Sequence, residues 1–135
     1  MKKRILFCLA IMLSGIHACS DDIEFPIDGM WQLKAIEENG ITTPVDTVFY
    51  SFMKGTVFSY TILKTPDVAN VFYGYIDALS EKEILIKVDD KYFFERDFIE
   101  NSDWEEQQQI FGIESINSRK LILSYGEKTY SFNKH

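Results

Sequence analysis

Thiols and imidazoles are almost missing from this 135-residue chain, and both of its cysteines, Cys8 and Cys19, fall within the first nineteen positions. Nothing after Cys19 carries a sulfhydryl, which excludes a disulfide framework, a cysteine nucleophile and a thiolate metal site from the remainder. The two histidines are His17 and the last residue, His135. A Ser-His-Asp triad and a zinc site both need a held imidazole, and a terminal one is expected to fray. The seven glycines stand singly, so no Gly-rich phosphate loop is present, and no D-x-D-x-D-G run offers calcium its closely spaced oxygens. Positive charge is scarce as well: 14 Lys and Arg face 21 Asp and Glu, for a net charge of −7. A surface of that sign repels nucleic acid and anionic lipid.

Long apolar runs are limited to one, the nine residues "ILFCLAIML" over 5–13, preceded by Lys2, Lys3 and Arg4 and followed by "SGIHA". A basic start, a short apolar centre and a small-residue exit describe a secretory signal peptide. The run is too short for a spanning helix, which needs about 20 residues. Residues 1–18 are therefore expected to be removed. Without their three charges, eleven basic residues remain against 21 acidic ones, a balance of −10. The 117 residues left fit one domain with a single core.

The exit of that segment, "IHAC", resembles a bacterial lipobox, with Ile16 and Ala18 ahead of the acceptor Cys19. The resemblance implies that cleavage follows Ala18 and that Cys19 becomes a lipidated first residue. Cleavage at Ala18 by ordinary signal peptidase, giving a free secreted protein, is the alternative. Ser20, Asp21 and Asp22 follow immediately, similar to the acidic export signal of surface lipoproteins of Bacteroidetes. That implies display on the outside of the outer membrane, with residues 19–28 as tether. A plain solvated linker facing the periplasm is the alternative.

From Gly29 onward short alternating runs are split by turn residues every eight to twelve positions, the spacing of an all-β barrel or sandwich. Strands are predicted over 30–37, 47–53, 56–63, 71–79, 84–88, 92–97, 111–116, 121–125 and 128–132. The separators, among them "ENG", "KG", "TPD" and "GE", are rich in turn formers. The Lys54-Gly55 gap predicts a hairpin. Alternation puts Phe58, Tyr60 and Ile62 on one face, Leu121, Leu123 and Tyr125 on another, and Tyr130 with Phe132 on a third. In "SDWEEQQQ" a Ser102/Glu105 capping box predicts one short helix over 102–109, with Trp104 packed inward over one end of a barrel.

At the head of the first strand Gly29-Met30-Trp31 carries the G-x-W pattern that opens lipocalins. With Trp104, "FGI" over 111–113 and the closing "LILS" and "YSF", the stretch 29–135 resembles the small lipocalin-like lipoproteins of Bacteroidetes. The resemblance implies an antiparallel up-and-down β-barrel of about eight strands. It also implies a basic side chain over Trp31, and with no Arg after Arg119, Lys128 or Lys134 must supply it. Asp46-Thr47-Val48 resembles an acceptor site for O-linked glycans on exported Bacteroidetes proteins, which would put Thr47 outside.

Catalytic chemistry is left to carboxylates. The visible groups are Asp89-Asp90, Glu105-Glu106 and Glu81 with Glu83. A glycosidase needs two carboxyls facing across a cleft roughly 5 to 9 Å wide, whereas sequence neighbours on a strand point apart. Solvated turn charge is the expected role, and neither an enzyme nor a cofactor is implied. Aromatics are the abundant resource, with 11 Phe, 7 Tyr and 2 Trp in the whole chain. Barrels of this size either fill with side chains or hold one small ligand. Tyr50, Phe58, Tyr60, Tyr73 and Tyr75 are the residues expected to line such a cup, with core packing as the alternative role. The expected partners are a membrane, through the N-terminal lipid, and either a small apolar ligand in the cup or an envelope protein or glycan at the rim. A filled barrel serving as an accessory or inhibitor subunit is the alternative.

Overall fold

The structure is a computed structural model that describes residues 27–89 and 95–135. Nine strands run in chain order: β1 (Gly29–Glu38), β2 (Ile41–Pro44), β3 (Val48–Met53), β4 (Val57–Thr65), β5 (Val68–Ala78), β6 (Glu83–Val88), β7 (Gln108–Ile116), β8 (Lys120–Tyr125) and β9 (Lys128–Lys134). One helix, α1 (Glu95–Asn101), lies between β6 and β7. Every pairing is antiparallel, and each barrel strand bonds to its neighbour in sequence. β1 bonds to both β3 and β9, which closes an eight-stranded barrel. The fold is the up-and-down barrel expected from the sequence.

β2 is an addition. Asn39 and Gly40 both take positive φ, 54° and 78°, and turn the chain so that β2 pairs with the far half of β1 on the edge that β3 uses nearer its start. All four β2 residues are exposed, so no inward alternation marks this strand in the sequence.

Period-2 alternation fills the barrel. Phe58, Tyr60 and Ile62 from β4, Leu121 and Leu123 from β8, and Tyr130 and Phe132 from β9 are all buried in one core cluster, as their spacing predicts. Tyr125 is partly buried against the same cluster.

Two expectations fail between β6 and β7. The helix occupies Glu95–Asn101, immediately before the 102–109 segment predicted for it, and it takes the place of the end of the strand predicted over 92–97. Residues 92–94 lie outside the described residues. Within 102–109 the hydroxyl of Ser102 accepts the Trp104 amide two residues on, at 3.2 Å. Such a local turn bond competes with helix formation. At the other end of the segment Gln108 and Gln109 give their backbone to the β6–β7 ladder. The capping-box pattern loses to a turn, a buried indole and a sheet.

Candidate functional site: the two ends of the barrel

The strand order sends the first residue of β1, the β3–β4 turn and the last residue of β9 to one end of the barrel. The end of β1, the β8–β9 turn and the crossing from β6 through α1 to β7 lie at the other. Each end is organised around one tryptophan.

At the first end Trp31 is buried and its indole N–H donates to the Ile27 carbonyl at 2.8 Å. Of the two lysines that could have covered it, Lys134 does so. Its Nζ stands 4.4 Å from the ring centroid and donates to the Asp28 carbonyl at 2.7 Å. Gly29 makes room for that arrangement: its φ is +124°, and a Cβ there would collide with the Lys134 ammonium. The Asp28 carboxylate accepts the Gly55 amide of the β3–β4 turn at 3.0 Å. His135 does not fray as expected. Its amide donates to the Met30 carbonyl at 2.9 Å, and its ring meets Phe49 edge-on with centroids 5.0 Å apart.

At the second end the loop after α1 enters the barrel. Trp104 is 2 % exposed. Its N–H donates to the Tyr50 hydroxyl at 2.8 Å, and its ring lies within 5.1 to 6.2 Å of those of Tyr50, Phe58, Tyr60, Phe98 and Phe111. Phe98 of α1 adds a second ring, edge-on to Tyr60 at 5.1 Å. A latch holds this plug. The Asp103 carboxylate accepts the Tyr130 hydroxyl at 2.6 Å, and the Lys128 ammonium reaches the Asp103 carbonyl at 3.1 Å and its carboxylate at 3.6 Å. Lys64 ties the end of α1 to β4 through Asn101 Oδ1 at 2.7 Å.

Three tyrosine hydroxyls are shaped by this packing. Burial is the first cause that pushes the pKa of Tyr50, Tyr60 and Tyr130 well above the ordinary tyrosine value, and the Asp103 charge adds to it in all three. They remain neutral donors and acceptors at any physiological pH.

The cup expected from the sequence divides accordingly. Tyr50, Phe58 and Tyr60 do point into the barrel, where they pack against one another and against Trp104. Tyr73 and Tyr75 do not. They are 52 % and 46 % exposed, because Phe72 and Ile76 hold inward positions of β5 and Tyr73 and Tyr75 fall on the opposite parity, facing out. Thr47 is exposed in the loop before β3. Cys19, Ser20, Asp21 and Asp22 lie outside the described residues, as does Asp90. Glu81, Glu83, Glu105 and Glu106 are exposed.

A depression of about 180 Å³ opens beside the plug, lined by Glu38, Glu105, Gln109, Tyr125, Gly126, Glu127 and Lys128. Gln109 is its unusual member. It is 3 % exposed on the inward face of β7, and neither its amide nitrogen nor its amide oxygen has a hydrogen-bond partner. A buried amide left unpaired costs about 1–3 kcal/mol. Sequence reasoning missed it because "QQQ" was absorbed into the predicted helix. The available signal was the alternation of Gln109 with Phe111, which puts an amide where the other strands carry aromatic or aliphatic groups. Asp103 was missed for the same reason.

The class these features define is a small closed antiparallel barrel whose described core is packed with aromatic rings, with a polar depression at one end. The chain belongs to the lipocalin-like domain family, whose sequence profile matches residues 11–135. It is similar to the crystal structure of a lipocalin-like protein from Bacteroides uniformis ATCC 8492, with a TM-score of 0.72 and 28 % identity over 82 % of this chain and 100 % of that one. An uncharacterized protein from Bacteroides eggerthii DSM 20697 is similar as well, with a TM-score of 0.67 and 25 % identity over 81 % of this chain and 99 % of the other. No curated protein matches the chain.

Proposed function

We propose that this protein is a lipid-anchored envelope lipoprotein that acts by binding, without catalysis, and that it binds at the plugged end of its barrel rather than in a hollow cup. The observation that carries the binding site is the interior itself. Trp104 and Phe98 occupy the space between Tyr50, Tyr60 and Phe111 that a small apolar ligand would need. The depression next to the plug, lined by Glu38, Glu105, Tyr125, Glu127 and Lys128 among others, is the recess left for a partner molecule.

The anchor rests on the lipobox that ends at Cys19. Signal residues 1–18 are removed, residues 19–28 tether the barrel, and the acidic Ser20-Asp21-Asp22 directs it to the outer face of the outer membrane. The tether joins the barrel at the Trp31 end, since β1 begins there. The plugged end then points away from the membrane, with exposed Thr47 on the same side as a site for an O-linked glycan.

The uncharged dye Nile red tests the filled interior: no fluorescence enhancement is expected with the purified protein, and saturable one-to-one binding would restore the cup. The mass of the mature N-terminus tests the anchor, with Cys19→Ala expected to leave the membrane fraction. Protease shaving of whole cells tests display at the surface.

One observation favours a second reading, an accessory subunit of an envelope complex. Val57, Tyr73 and Tyr75 are exposed on the outer face, and Val57 lies directly across from Tyr75 in the β4–β5 register. Exposed aromatic and aliphatic side chains grouped on one face mark contact surfaces. Crosslinking in cells followed by purification would recover a stoichiometric partner through this face, and Tyr73→Ser with Tyr75→Ser would lose it.

A further inference from the structure

We propose that the side of the barrel beside the tether, where Met30, Met53, Val57 and Tyr75 stand exposed, rests in the headgroup layer of the bilayer that holds the anchor. The inference rests on the reading of Cys19 as lipidated, which is what supplies that bilayer.

Strand parity builds the patch. Trp31, Phe52, Phe58 and Ile76 are buried, so Met30, Met53, Val57 and Tyr75, one position away from each, face outward. Met53 pairs with Val57 and Val57 with Tyr75, which sets three of the four side by side across β3, β4 and β5. Met30 pairs with Ser51 and is therefore the diagonal neighbour of Met53. All four are 40 % to 47 % exposed. A contiguous apolar patch of this kind marks a surface that meets a protein or a membrane.

The tether decides for the membrane. Ile27 is buried and its carbonyl accepts the Trp31 indole N–H, so the chain is fixed to the barrel from there, three residues before Met30. Eight peptide steps separate Cys19 from Ile27, and they span at most about 28 Å. The patch lies at the root of that tether and can come down on the lipid. The plugged end stands the length of the ten-residue β1 away from the root, about 33 Å. The flanks fit the same surface. Lys54 follows Met53 in the β3–β4 turn, and Lys87 holds its ammonium 5.9 Å from the Tyr75 ring centroid. Side chains of this type lay their apolar parts against acyl chains and keep the charge or hydroxyl at the level of the phosphates. Asp77, two residues beyond Tyr75 on the same face, is exposed at the margin, and the acidic net charge opposes an anionic surface. The matching headgroup layer is therefore zwitterionic.

Removal of residues 1–18 leaves Met30 and Met53 as the only methionines of the chain, so 13C-methyl methionine reports on the patch alone by NMR. The protein is purified from membranes, its lipid is confirmed by mass, and it is placed in phosphatidylcholine nanodiscs. A nitroxide at the lipid headgroup is expected to broaden both methionine methyls about threefold or more beyond the Ile41 δ-methyl at the plugged end. A soluble gadolinium chelate should do the reverse. Tyr75→Glu alters an exposed residue, so it should leave the thermal midpoint in place while cutting the methionine broadening about threefold. Asp77→Asn should increase that broadening. Equal broadening at the two ends, or none, would overturn the inference and leave the anchor standing. A mature N-terminus without lipid would overturn the reading beneath it. Methyls already shielded from the chelate by a stoichiometric partner protein, before lipid is added, would give the face to that partner and overturn the inference as well.

Discussion

The two tryptophan-centred ends of the barrel are built by different means. Trp31 is fixed from within its own strand and the last one. Its indole bonds four residues back, and the lysine over its face comes from the strand that is already hydrogen-bonded to β1. Trp104 belongs to no strand. It reaches the core on a connecting loop and is held there by a hydroxyl 54 residues away and by an aspartate latch onto β9. The first end is an extension of the sheet, and the second is a plug fitted into it. Local opening is cheapest where a segment has few ladder bonds of its own, so the plug is expected to open at lower cost than the Trp31 end.

That contrast can be broken most forcefully at Trp104. Trp104→Ala removes a ring that fills the interior and is expected to cost about 3–5 kcal/mol, measured by urea denaturation. It also empties the middle of the barrel, so Nile red binding should appear in this variant alone. Alkaline pH acts on the same end. The folded-state pKa values of Tyr50, Tyr60 and Tyr130 are raised above the unfolded value of about 10. Their contribution is complete below that value and is lost as pH climbs above it, because the unfolded chain releases protons that the folded one retains. Ultraviolet titration should show these three ionising only as the protein unfolds.

Gly29→Ala probes the opposite end. A positive φ without glycine costs about 1–3 kcal/mol, and the added methyl drives Lys134 from its place against Trp31. The loss should appear in the global denaturation midpoint, with the plug loop unaffected. Asp103→Ala should cost less globally, about 1–2 kcal/mol, yet raise hydrogen exchange in 102–107 by far more than elsewhere. The smallest effect belongs to Lys134→Ala, about 0.5–1 kcal/mol for the lost cation over the indole. If Asp103→Ala and Gly29→Ala loosened the same amides in hydrogen exchange, the two ends would be one cooperative unit and the contrast would fail.

Much of the barrel was legible before the structure because alternation states which face is buried. Phe58, Tyr60, Leu121, Leu123, Tyr130 and Phe132 needed no more than period 2. Tyr73 and Tyr75 show the limit of that rule when composition overrides it. Grouping all nearby tyrosines into one cup ignored the Phe72 and Ile76 parity that turns both outward. The β2 strand had no inward side to read, since all its residues are exposed. The segment over 95–109 was misread because a capping-box pattern is local, whereas Ser102 bonds a nearer amide and Trp104 gains its burial from rings distant in sequence.

By itself the sequence determined the all-β class, the inward residues of β4, β8 and β9, and the lack of any thiol after Cys19. These follow from spacing and composition, which are properties of the chain taken a few residues at a time. Tertiary structure alone decided that Trp104 and Phe98 pack against Tyr50 and Tyr60, that Lys134 rather than Lys128 covers Trp31, and that Lys128 latches Asp103 at the opposite end. It alone left Gln109 buried and unpaired beside three carboxylates. Each of those outcomes depends on which side chains meet after the sheet closes on itself, and closure brings together residues that no local pattern connects.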